Sequence, residues 1–295
     1  MEIKYNSNSF KSILIKNLIK LSGFKKNTNT LENTKNYINK CSKRKINENL
    51  FNGMIKTKTE DYTFYKWNNK KNINSVILYI HGGSFVDKPL NIQINFIKKL
   101  SEELTTDLII PIYKTIPEGT GIQFYQEIIL IYNLLIKKYK KIYLVGDSAG
   151  GGAALSLNML INEEKLPSPE AVIMLSPWLD ISLTNKKIDN IKDIVCSKTG
   201  NIYCGQLWKD TLDENDYKVS PLYGNVNKLN KVFIACSKNE ICNPDCINLV
   251  DKLKKESINY KYVEFTKQFH NFELYPIKES KIVINEISKF IKGNK

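Results

Sequence analysis

Apolar positions along this chain follow two rhythms. From residue 75 onward, short apolar runs recur: SVILYI (75–80), DLIIPIY (107–113), KIYLV (141–145), AVIML (171–175), KVFIA (231–235) and YKYVEF (260–265). Runs of this length, rich in β-branched residues, read as strands buried on both faces. Between them lie longer segments with helical spacing: FIKKLSEEL (96–104), FYQEIILIYNLLIKKY (124–139), AALSLNMLINEE (153–164), CINLVDKLKKES (246–257) and KIVINEISKFIK (281–292). This alternation predicts an α/β fold with a mostly parallel central sheet and helices on both faces. Just before it, MIKTKTEDYTFYKW (54–67) reads as two alternating strands joined by a polar turn.

Two regions depart from the rhythm. Residues 1–50 are rich in lysine and asparagine and carry one helical stripe, Ile13, Leu14, Leu18, Ile19 and Leu21. Such a stripe suits a helix laid over a core or a pocket, or one lying on a membrane surface. Residues 180–220 are polar and irregular, and an insertion of that length between strands is commonly functional or lid-like. No repeat and no Gly/Ser-rich linker divides the chain. The expected organisation is an N-terminal helical segment over 1–50 and one domain over 51–295 with a lid-like insertion around 180–220.

Composition narrows the function. At 295 residues with 42% hydrophobic and 25% charged, the chain is long enough for a full core and is not of disordered type. The net charge of +14 invites a nucleic-acid reading, but Arg44 is the single arginine among 44 basic residues. Base and phosphate recognition favour the planar guanidinium fork, and the lysines are spread along the whole chain, so no nucleic-acid partner is expected. Cys41, Cys196, Cys204, Cys236, Cys242 and Cys246 form no CxxC pair and lie far in sequence from the two histidines, which gives no zinc pattern. Free thiols, the absence of a signal-like N-terminus, and a longest apolar run (128–136) too short to span a bilayer predict a cytoplasmic protein without stable membrane insertion.

The chemistry concentrates at YLVGDSAGGGAAL (143–155), where a strand ends in Gly146-Asp147-Ser148-Ala149-Gly150 and a helix follows. G-x-S-x-G between strand and helix is the nucleophile-elbow pattern, in which a tight turn exposes the serine hydroxyl at the carboxyl edge of the sheet. A serine needs a base, and only His81 and His270 exist. His81 follows a strand and precedes Gly82 and Gly83, whose N–H groups, with that of Ala149, are the expected oxyanion donors. That leaves His270, in the loop after the last strand, as the base. The orienting acid belongs between serine and histidine, just past a strand. Glu240 is favoured there, and Asp245, placed to be an N-cap, is the alternative.

These residues resemble the hormone-sensitive-lipase-like branch of the α/β-hydrolases over roughly 53–292. YIHGGSF (79–85) is similar to that family's HGGG loop with Ser84 in place of the third glycine, and GDSAGGG to its elbow. YKTIPE (113–118), SPWLDIS (176–182) and SPLYG (220–224) match further family segments in the right order. The family's D-P-L-x-D acid motif is replaced by E-I-C-N-P-D, and its HGF by HNF. The resemblance implies the α/β-hydrolase fold, an N-terminal helical cap over the pocket, and a serine carboxylesterase acting on small, short-acyl esters. It implies no cofactor and no metal. Acyl transfer and amide hydrolysis share the same chemistry, and a non-catalytic small-ligand receptor would be marked by loss of the serine or histidine. Trp178, Tyr203 and Trp208 are candidates for the pocket wall or for ordinary packing. Substrate identity and oligomeric state are not written in the sequence.

Overall fold

A computed structural model describes residues 1–68 and 74–293. The strands are β1 Glu2–Tyr5, β2 Ile55–Lys58, β3 Thr63–Trp67, β4 Ser75–Ile80, β5 Asp107–Pro111, β6 Lys141–Asp147, β7 Ala171–Leu175, β8 Lys231–Ser237 and β9 Asn259–Phe265. They form one sheet in the order β1-β9-β8-β7-β6-β4-β5-β3-β2. Pairing is parallel from β1 through to β5, and only the edge formed by β3 and β2 is antiparallel. The expected mostly parallel sheet is therefore present.

The helices are α1 Phe10–Ser22, α2 Leu31–Ser42, α3 Asn91–Leu104, α4 Gly121–Lys138, α5 Ala149–Glu163, α6 Lys198–Lys209, α7 Asn243–Lys255 and α8 Lys278–Lys292. Two apolar clusters lie on opposite faces of the sheet. Val76, Leu78 and Ile80 of β4 join α4, α5 and α7 on one face, while Ile77 and Tyr79 join α3 and α8 on the other. The period-2 alternation of a strand divides these side chains between the layers, and all six residues of β4 are buried.

Three elements escape a reading by periodicity. The short strand β1 pairs with β9. The polar helix α2 packs against α6, a helix inside the stretch expected to be irregular. Helix α1 forms where the stripe predicted it, capped by the Ser9 side chain at its start and by Gly23 at φ 62° at its end. Its apolar residues, however, do not simply cover the core: Ile15 and Ile19 are half-buried, whereas Ile13, Leu14, Leu18 and Leu21 are exposed. Among the described residues no helix is long and apolar enough to cross a membrane, and the six cysteines are buried free thiols.

Candidate active site

Strand β6 ends at Asp147 and α5 starts at Ala149, so Ser148 alone turns the chain from strand to helix. It does so at φ 51°, ψ −120°, a strained conformation for a residue with a side chain. The surroundings hold it there. Ser148 N–H donates to the Leu175 carbonyl at 2.8 Å, and its own carbonyl accepts from the N–H groups of Gly151 and Trp178 at 3.0 Å each. The flanking glycines are required by space: a Cβ on residue 146 would overlap the Gly150 carbonyl, and one on residue 150 the Ile80 carbonyl. Gly146→Ala is accordingly expected to cost about 3 kcal/mol of folding stability, read as a lowered urea midpoint; an unchanged midpoint would mean that the elbow can widen.

The loops following β6, β8 and β9 converge at the carboxyl edge of the sheet, where open α/β folds place their sites. His270 Nε2 lies 2.9 Å from Ser148 Oγ, and His270 Nδ1 lies 2.7 Å from Glu240 Oε2. The other Glu240 oxygen accepts the Ser237 N–H at 2.9 Å. All three side chains are buried. The structure thus brings Ser148, His270 and Glu240 into one hydrogen-bonded line. Asp245 is not part of it. It sits in the first turn of α7, where one carboxylate oxygen accepts from Asn185 at 2.9 Å and the other has no hydrogen-bond partner among the described residues. Burial raises its pKa to about 6.

Burial disfavours the charged form of His270, but the Glu240 carboxylate 2.7 Å from Nδ1 outweighs it and holds the pKa above the usual imidazole value. Burial also pushes the Cys196 and Cys242 thiols up, so they stay protonated, and the charge that acts on the ring is the Glu240 carboxylate. His81, the other histidine, does different work. Burial lowers its pKa to about 4, and its ring stacks on Tyr113 at 4.3 Å while its carbonyl accepts from the Tyr113 hydroxyl at 2.6 Å. It is a neutral fixture of the loop after β4.

That loop requires a correction. Gly82 N–H donates to Asp147 Oδ1 at 2.9 Å, so it is not free to receive a developing oxyanion. Gly83 and Ser84 line the same cavity as Ser148, and Gly82 does not. Ala149, as the first residue of α5, keeps an N–H without an intrahelical partner. Asp147 is the residue that sequence reasoning passed over. Fully buried, it also accepts from the Tyr79 hydroxyl at 2.5 Å, from Gln93 at 3.0 Å and from Asn271 at 3.1 Å. It ties the loop after β4 to the elbow and to the loop that carries His270. The only sequence signal was an acidic residue at the end of an otherwise apolar strand.

Ser148 and His270 open into a cavity of about 310 Å³. Its walls come from both irregular regions, with Ile19, Phe24 and Tyr37 from the N-terminal segment and Val195, Cys196 and Cys204 from the insertion. Trp178 and Trp208 are not in the wall. Both are buried, and Trp208 stacks on Phe85 at 4.0 Å. Tyr203 is likewise absent from it and has Lys35 above its ring. Ligand atoms of Asp193, Cys196 and His270 lie within 4.8 Å of one another, which is a spacing a metal ion could use. Those of Asp193 and His270 are already engaged. Asp193 accepts the N–H groups of Val195, Cys196 and Ile241, and the His270 nitrogens face Glu240 and Ser148.

Comparison with known proteins agrees with this fold. A family model described as alpha/beta hydrolase fold matches residues 77–274. An esterase of Acinetobacter venetianus is 25% identical over 226 residues, covering 73% of this chain and 74% of that one. An acetyl-hydrolase of Streptomyces hygroscopicus is 22% identical over 207 residues, 68% of each chain. The fold matches that of an esterase from the bacterial hormone-sensitive lipase family with a TM-score of 0.80 at 18% identity, over 97% of this chain and 98% of that one.

Proposed function

The chain belongs to the α/β-hydrolase fold family, and from that premise we propose that it is a serine carboxylesterase of small, short-acyl esters. The observation that carries the reading is the unbroken line from Ser148 Oγ through the His270 ring to the Glu240 carboxylate. Ser148 attacks the acyl carbonyl while His270 Nε2 takes its proton. The carbonyl oxygen becomes negative as the C–O π bond opens, and the N–H groups of Gly83, Ser84 and Ala149 receive it. Collapse expels the alcohol, which leaves with the proton from His270. Water then repeats the sequence on the acyl-enzyme, with His270 again as base, and releases the acid. Glu240 holds Nδ1–H throughout and stabilises the imidazolium. Within residues 1–50 the cap over the cavity is made by the side chains that line it, Ile19, Phe24 and Tyr37. The short-acyl preference follows from the cavity volume, about 310 Å³, at the lower end of the range for small-molecule sites.

A series of p-nitrophenyl esters from acetate to palmitate tests the substrate class. The expected result is a maximum in kcat/KM at butyrate or shorter and a fall of roughly tenfold or more by decanoate, as the chain outgrows the pocket. A maximum among the long chains would refute the size argument. The pH profile tests the base. His270 must be neutral to accept a proton, and its pKa is raised, so activity is lost as pH falls through a value above 6.5. Glu240→Gln removes the raising charge and shifts that acid limb downward. An acid limb already below 6.5 in the parent would mean that another group controls it.

A further inference from the structure

We propose that helix α1 docks the protein onto anionic phospholipid surfaces, with the cavity mouth turned toward the lipid. Seven of the fourteen exposed large apolar side chains among the described residues lie between positions 10 and 31, which makes this one patch rather than scatter. On α1, Phe10, Ile13, Leu14, Leu18 and Leu21 fall within an arc of roughly 140° at about 100° per residue. Asn17 is the one polar residue inside that arc.

The helix carries a second, wider apolar face besides the one it packs against the core. Its attachment to the body combines Ile15 and Ile19, packed against the core, with polar bonds: Ser12 donates to Gln268 at 2.5 Å, Lys16 to the Lys267 carbonyl at 2.7 Å, and Glu279 accepts the Ser9 N–H at 2.6 Å. The wider apolar face points to solvent. A face of this kind would be costly to keep in water with nothing to cover it.

Charge selects the occupant. Residues 3–31 contain six lysines and no carboxylate. Lys11 and Lys20 border the apolar arc on either side, the arrangement of an interfacial amphipathic helix. Behind the helix, Lys16 and Lys20 share a recess with Lys192, Lys238 and Lys267. No salt bridge to any of these lysines is found among the described residues. A second copy of the chain seated on this face by a twofold axis would bring lysine against lysine. A polyanion without an apolar phase would leave the leucines in water. An anionic bilayer surface satisfies both features. The patch also continues to the mouth of the cavity, where exposed Phe24 and Leu90 are lining residues.

Co-sedimentation with vesicles of phosphatidylcholine, and of phosphatidylcholine mixed equally with phosphatidylglycerol, tests the proposal without reference to catalysis. The protein is expected to sediment with the anionic vesicles only, and less so as salt is added. Combining Leu14→Gln, Leu18→Gln and Leu21→Gln, none of which lines the cavity, should weaken partition by roughly tenfold per leucine. Circular dichroism and hydrolysis of a soluble ester should stay at parental values. Lys11→Gln with Lys20→Gln should flatten the salt dependence. No sedimentation with anionic vesicles overturns the proposal, as does sedimentation that survives the triple substitution. A concentration-dependent dimer abolished by the same substitutions would make the face a protein interface instead.

Discussion

Ser148→Ala should reduce kcat toward p-nitrophenyl acetate by on the order of 10⁵–10⁶-fold, leaving only the contribution of binding and oxyanion donors. Ser148 is the residue that turns the chain between β6 and α5, and its Oγ is the atom 2.9 Å from His270 Nε2. The loss should appear in kcat with little change in KM, because the hydroxyl bonds to the acyl carbon only as the reaction proceeds. Folding is expected to be nearly unaffected: alanine at φ 51° bears no more strain than serine, and a single side-chain hydrogen bond is lost. The parent should also lose activity with one equivalent of a p-nitrophenyl phosphonate, releasing one p-nitrophenol and gaining the mass of the phosphonyl group on Ser148, whereas the variant should gain none. A variant retaining a few per cent of parental turnover would remove Ser148 from the chemistry, and the esterase reading would need another nucleophile.

The part of this site that could be read from sequence is the part encoded by local pattern. The elbow is legible because the glycines at 146 and 150 are demanded within five residues of chain by overlap with the Gly150 and Ile80 carbonyls. Strand β4 is legible because it is apolar on both faces. What was not legible depends on distant contacts. The EIKY strand is four residues long and finds its partner, β9, at the far end of the chain. Helices α2 and α6 are polar segments whose pairing with each other provides much of their reason to be helical. That the Gly82 N–H is engaged was decided by the Asp147 carboxylate, sixty-five positions away. The exposure of the α1 leucines was hidden for a related reason: periodicity reveals an apolar stripe but not the direction it faces.

The choice of acid gives the second large effect. Glu240→Gln is expected to lower kcat by roughly 10³–10⁴-fold, because an amide at this position can present its N–H₂ to Nδ1 and favour the tautomer that cannot accept the serine proton. Asp245→Asn should leave kcat within about threefold of the parent, since its carboxylate bonds to Asn185 and not to the imidazole. Stability separates the two further. The Asp245 carboxyl has its pKa raised to about 6, so its contribution to folding is fully present at low pH and is lost as pH rises through that value. At neutral pH the fold holds a half-satisfied, ionised carboxylate, and the neutral amide should melt no lower than the parent. Glu240 is different: its carboxylate is paired with His270 and with the Ser237 N–H. Its replacement should therefore cost activity together with a displaced acid limb, a joint signature that general destabilisation does not produce. If Asp245→Asn silenced the enzyme while Glu240→Gln remained active, the 2.7 Å contact at Nδ1 would not be the one that orients the base.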